Sequence, residues 1–143
     1  MSTDRSLVGA AGEAAARRHC ESLGYAVLGA NVRFAAQGDW PALRGELDLV
    51  CRDRETVVFV EVKARRGGLG LIPEEKVTPV KQVRLARLAS AWLARGGWYA
   101  ADAEFGIRFD VIGVVLGARG EVLRLAHRRG AFAPADGGGF GDD

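Results

Sequence analysis

Two short apolar runs, Glu46 to Cys51 (ELDLVC) and Val57 to Ala64 (VVFVEVKA), flank the five residues RDRET and constrain this chain more than any other feature. Both runs alternate in the way of strands, and a link of that length suits a hairpin. A tight hairpin pairs residues whose numbers sum to about 109, so Asp48 faces Glu61 and Glu46 faces Lys63, and opposed residues share a face of the sheet. Leu47, Leu49 and Cys51 then fall with Val58, Val60 and Val62 on one apolar face. The other face carries Glu46, Asp48 and Val50 beside Val57, Phe59, Glu61 and Lys63. A slip of two residues leaves these faces unchanged.

Three carboxylates and one ammonium at the end of a hairpin pose an electrostatic problem. At about 4 Å and an effective dielectric near 20, each like-charge repulsion is on the order of 4 kcal/mol before screening. One lysine cannot offset three acids. The group needs a cation, must take up a proton, or must be well solvated; oxygen-only ligands at a half-open site suit Mg²⁺ or Mn²⁺ better than zinc. The same pattern also fits a water-facing sheet surface with a Glu46 to Lys63 salt bridge.

The rest of the chain reads as one α/β domain. Gly9 to Leu23 is rich in helix-forming Ala, Glu and Arg, and Gly24 suits the position just past a helix end. Tyr25 to Phe34 reads as a strand weakened by Gly29, and a loop follows. RRGGLGLIPEEKV has no period and reads as a flexible crossover. Thr78 and Pro79 then open a second helix with apolar residues at Val83, Leu85, Leu88, Ala89, Trp92 and Leu93, ending at Gly96 and Gly97. Phe105 to Leu116 and Glu121 to Ala126 read as strands joined by GARG. The order helix, strand, strand, strand, helix, strand, strand implies a mixed sheet flanked by helices, with a domain over about residues 7–132 and a disordered Gly/Asp-rich tail over 133–143.

Of 20 basic residues 17 are Arg, and the three lysines, Lys63, Lys76 and Lys81, share one stretch. Lys63 to Arg95 holds eight basic residues against Glu74 and Glu75, a balance of +6 that suits a polyanionic partner. Lys81, Arg84 and Arg95 recur at helical spacing; a solvated helix face would have the same pattern. Cys20 and Cys51 match no disulfide framework or zinc knuckle, and sparse thiols with no apolar span point to the cytoplasm and to no membrane partner. His19 and His127 have no spacing for a metal or an activated nucleophile, and Asp110 reads as structural, paired with Arg108 or a helix arginine. Trp92 reads as core; Trp40, Trp98 and Tyr99, in loops, read as fillers at the ends of the sheet, with base stacking as the alternative. The absence of G-x-S-x-G, P-loop and Rossmann fingerprints argues against those enzyme classes.

GELDLV at 45–50 followed by VVFVEVKARR at 57–66 resembles the PD-(D/E)xK core of restriction-endonuclease-like nucleases. With GEAAARRHCESLGYAVLGANVR at 12–33, KQVRLARLASAWL, RFDV at 108–111 and HRRGAF at 127–132, the chain resembles the YraN family over about residues 8–132. That resemblance implies a restriction-endonuclease-like fold similar to archaeal-type Holliday-junction resolvases. It implies Asp48 and Glu61 as metal ligands with the backbone carbonyl of Val62, and Lys63 as the residue that orients water or stabilises phosphorus. Glu13 matches the helix glutamate of the resolvases; a carboxylate near a helix N-terminus is favourable in any case. Glu46 would be an outer or second-metal group. Arg33, Arg65, Arg66, Lys81 and Arg84 are the expected DNA contacts. Residues 34–44 form a longer segment than the family's short turn.

The expected function is therefore a Mg²⁺ or Mn²⁺ dependent DNA endonuclease of repair or recombination, acting on branched or other structured DNA, with a homodimer allowed. A catalytically silent nucleic-acid-binding module on the same fold is the alternative, and a protein-interaction domain a third.

Overall fold

A computed structural model describes residues 4–35, 43–67, 76–96 and 105–133. Trp40, Glu74, Glu75, Trp98, Tyr99 and the tail from Pro134 lie outside them. Two helices, α1 (Asp4–Ser22) and α2 (Pro79–Arg95), flank five strands, β1 (Ala26–Phe34), β2 (Gly45–Asp53), β3 (Thr56–Arg66), β4 (Gly106–Leu116) and β5 (Val122–Phe132). The sheet runs β1-β2-β3-β4-β5, with β3 and β4 parallel and the other pairs antiparallel. This mixed α/β architecture is the expected one and is consistent with a restriction-endonuclease-like fold.

The hairpin register is as read from the sequence: Asp53 pairs with Thr56, and pairing continues to Leu49 opposite Val60. Gly24 closes α1 with φ +87°, a conformation that glycine adopts without strain. Thr78 caps α2, its hydroxyl accepting the Lys81 N–H at 3.2 Å. Two boundaries and one buried position differ from expectation. Helix α1 begins five residues earlier, at Asp4. Strand β5 extends through HRRGAF to Phe132, paired with Phe109 of β4. Val83 is only half-buried, so the apolar stripe of α2 is Leu85, Ala86, Leu88, Ala89 and Leu93.

Each face of the sheet has its own core. Leu49, Cys51, Val58, Val60, Ile112, Val114 and Leu116 pack under α1 with Ala15, Ala16 and Cys20. Val50, Val57, Phe59, Phe109 and Val111 pack under α2, and Phe59 stacks on Phe109 and meets the edge of Trp92. Leu47 belongs to this second core, which corrects the strict alternation that placed it with Leu49. Its β1 partner Val32 packs on the α2 side, whereas Ala30, opposite Leu49, packs on the α1 side. Between them Asn31 has φ +52°, a left-handed conformation that asparagine tolerates better than most residues. Both strands therefore exchange faces at Asn31 and Asp48.

The α1 layer is held by a buried polar hub. Asp110, fully buried on β4, accepts from Arg108 Nε (2.8 Å) and from the Gly130 N–H (3.0 Å), and lies 2.8 Å from His127 Nε2. His127 Nδ1 lies 3.1 Å from His19 Nε2 on α1, and Arg108 also donates to the Tyr25 hydroxyl. Burial would raise the pKa of Asp110, but hydrogen bonds from His127, Arg108 and Gly130 outweigh it and hold the carboxyl below its ordinary range.

Gly12 sets how closely α1 approaches β3, because a Cβ there would overlap Cβ of Ala64. A glycine to alanine change inside a helix ordinarily stabilises by about 0.5–1 kcal/mol. Gly12→Ala is expected to reverse that sign and cost about 1–3 kcal/mol, the usual range for overpacking. Adding Ala64→Gly should recover most of the loss. Urea unfolding of the two single variants and the double variant measures this; additive effects would show that the contact is not limiting.

Candidate metal and phosphate site

The carboxylates converge where β2 parts from β3. Pairing ends at Leu49 and Val60, and one step on, Asp48 turns its side chain to the partner strand, with Oδ2 accepting the Val62 N–H at 2.8 Å. The carboxylate thus takes the ladder position that a backbone carbonyl would hold. Oxygens of Glu13, Glu46 and Asp48 all lie within 4.8 Å of one another, although Glu13 comes from α1 and the other two from β2. Glu61 stands on the α2 side of β3, buried, with its carboxylate paired to Lys81 Nζ and 3.9 Å from Lys63 Nζ. Asp48 therefore bridges a trio facing α1 and an ion pair facing α2.

Electrostatics follow from this crowding. Burial, then the charge of Glu61, then those of Glu13 and Glu46 push Asp48 up to about 7, against the opposing hydrogen bond from Val62. Glu13 is also raised, first by burial and then by Glu46, while a hydrogen bond to Asn31 works the other way. Lys81 is raised despite burial, because Glu61 stabilises its ammonium. The donor set fits a hard divalent cation: it is all oxygen, drawn from three side chains, and carries more negative charge than its neighbours neutralise. Mg²⁺ keeps several waters and commonly takes one or two protein carboxylates, so a half-open trio suffices.

The predicted residues fall into three groups. Glu13, Asp48, Glu61 and Lys63 share one neighbourhood, as do Glu46 and Val62. Lys81, expected on a DNA track, pairs with Glu61. Arg33 is exposed and 3.5 Å from Glu46, Arg65 and Arg84 are exposed, and Arg66 Nη1 donates to the carbonyls of Gly117 and Ala118. Sequence reasoning missed Asn31, whose signal was a lone Asn within a strand pattern, opposite the acid. It also missed the link from Asp110 through His127 to His19, for which separations of 17 and 108 residues gave no signal.

Residues 12–114 match the family described as "Uncharacterised protein family UPF0102". The chain belongs to the UPF0102 family. This is the YraN group that the motifs resemble. It is 44% identical over 125 residues to a UPF0102 protein of Symbiobacterium thermophilum, covering 87% of this chain and 95% of the relative. It is 41% identical over 126 residues to one of Beutenbergia cavernae, covering 88% and 96%. No described helix is long and apolar enough to cross a membrane.

A carboxyl whose pKa is near 7 in the folded protein and 3.8 when exposed binds its proton more tightly in the folded state. The advantage of this proton is fully present at acid pH and is lost as pH rises from about 4 to 7, a total change of at most about 4 kcal/mol. Metal-free protein should therefore be less stable at pH 8 than at pH 5.5. Asp48→Asn should remove this slope and raise the pH 8 melting temperature by about 4 °C or more. Mn²⁺ should stabilise the parent protein and leave the variant unmoved. Calorimetric melts at the two pH values check all three, and an unchanged slope in the variant would remove Asp48 as its source.

Proposed function

We propose that this UPF0102 protein is a metal-dependent endonuclease that hydrolyses phosphodiester bonds in DNA, with branched or otherwise structured DNA as substrate, in cytoplasmic repair or recombination. One observation carries the reading: Glu13, Glu46 and Asp48 crowd their oxygens within 4.8 Å beside Lys63, with Asp48 raised to about 7. Such a cluster costs stability without a ligand, and perturbed acids of this kind gather at functional sites. The order of acid, then E-x-K, agrees with the nuclease motif the sequence resembles.

Glu13 and Asp48, with Glu46 as a further acid, would hold Mg²⁺ or Mn²⁺; Glu61 and the Val62 carbonyl, the ligands implied by the resemblance, flank Asp48 from β3. When bound, the ion supplies an activated water and neutralises charge at the phosphoryl oxygen. Lys63, its Nζ 3.9 Å from a Glu61 oxygen, would stabilise negative charge as it builds on the phosphoryl oxygens. Lys81 fixes Glu61 and so orients the E-x-K strand. Arg33, Arg65 and Arg84 are exposed cations around the site, suited to phosphates along a strand. A homodimer would place two such sites on two strands.

Incubation with branched, flapped and nicked DNA and Mn²⁺ should give cleavage that EDTA abolishes. Lys63→Ala should slow it by about 100-fold or more, the usual loss on removing one transition-state contact. Cleavage by Lys63→Ala at the parent rate would reject the assigned chemistry. Lys81 favours a second reading: an ammonium already on Glu61 lowers the need for a metal, as in a non-catalytic nucleic-acid-binding module. That module would bind DNA in a salt-sensitive way and take up no Mn²⁺ by calorimetry.

A further inference from the structure

A cleft of about 480 Å³ opens beside the carboxylates, between the first turns of α1 and the end of β3. Glu13 and Lys63 line the end shared with the site, and Arg5 and Arg66 supply two further cations. Val8, Val62 and Ala64 give the cleft apolar surface. Its charge is thus opposite in sign to that of the adjoining trio. Arg66 is held by the Gly117 and Ala118 carbonyls, and Arg5 makes no ion pair among the described residues.

Gly9 makes the space meaningful. Glycine inside a helix costs about 0.5–1 kcal/mol relative to alanine. At Gly12 the close contact with Ala64 accounts for that cost, but a Cβ on Gly9 would meet nothing within 4 Å. No close contact at its Cβ position explains Gly9, which lines the cleft.

We infer that this cleft binds one nucleotide unit of the strand, its phosphate held by Arg5, Lys63 and Arg66 and its sugar resting on Val8, Val62 and Ala64. A volume of this size matches pockets for ligands of nucleotide size. The identification of the strand rests on the nuclease reading; the affinity for a nucleotide phosphate does not. Cation contacts on phosphate together with an apolar floor discriminate a nucleotide from either of its parts, since neither inorganic phosphate nor a nucleoside satisfies both.

Calorimetry in EDTA, with no metal and no turnover, tests the pocket using thymidine 5′-monophosphate, thymidine, inorganic phosphate and a dye-labelled single strand. The monophosphate should bind at least about tenfold more tightly than thymidine or phosphate. Arg5→Glu should weaken both the monophosphate and the strand about tenfold or more, and Gly9→Phe, whose Cβ has open space around it and whose ring stands at the lining of the cleft, should abolish monophosphate binding. Matching melting temperatures establish that both variants fold. Equal affinity for thymidine and its monophosphate, or unchanged binding in Gly9→Phe, overturns the inference. Binding lost in both variants while the parent cuts no DNA would keep the pocket and reject the nuclease; metal-dependent cleavage with binding untouched in both would do the reverse.

Discussion

Negative charge held only partly in water, at the point where β2 leaves β3, is the condition around which the neighbouring elements are arranged. Glu13 arrives from α1, Glu46 and Asp48 from β2 and Glu61 from β3, so three elements bring like charges to one place. The Val62 N–H and the ammonium of Lys81 answer part of that charge. What they leave appears as the upward shift of Asp48. The same sheet contains the contrasting case. Asp110 is more deeply buried than Asp48, yet its carboxyl is held below the ordinary range because Arg108, His127 and Gly130 satisfy it. Two acids on one scaffold thus diverge by environment, one arranged for structure and one left short of partners.

The hairpin was legible because strand alternation and a short link leave little freedom: its register follows from counting outward from RDRET as far as Leu49 opposite Val60, and the expected pairs of Asp48 with Glu61 and Glu46 with Lys63 lie beyond the point where pairing ends. Helix α2 was legible from Thr78 and Pro79. The face of Leu47 was not, since alternation assumes a regular strand and Asn31 interrupts it by adopting a left-handed conformation. The length of β5 was hidden because HRRGAF is polar and contains a glycine, and Gly130 sits at φ +58° while donating to Asp110. A propensity-based reading ends the strand there; a buried acceptor on the neighbouring strand keeps it going.

The acids themselves were legible, but their partners were not. Glu13 could be placed on a helix from local composition, while its meeting with Asp48 depends on the tight approach of α1 to β3 at Gly12 and Ala64. Lys81 looked like one of several cations on a solvated helix face. Only the stacking of α2 on the sheet shows that it reaches Glu61. Contacts between distant elements carry no periodic signal, so a residue's chemical type is readable from sequence well before its counter-charge is.

The exchange of faces at Asn31 and Asp48 explains why one site can draw on both layers. In a regular strand Asp48 would share its face with Glu46 and Val50 under α2, and a carboxylate from α1 on the opposite side could not approach it. Reversing the alternation at this one position turns Leu47 into the α2 core and leaves Asp48 within reach of Glu13 from α1 while it still feels the charge of Glu61. The positive φ of Asn31 is therefore part of the site's construction, and its side chain, which opposes the upward shift of Glu13, ties the backbone irregularity to the acid it admits. Strain of this kind persists where the surrounding packing determines it, and here Val32 with Leu47 on one side and Ala30 with Leu49 on the other hold it in place.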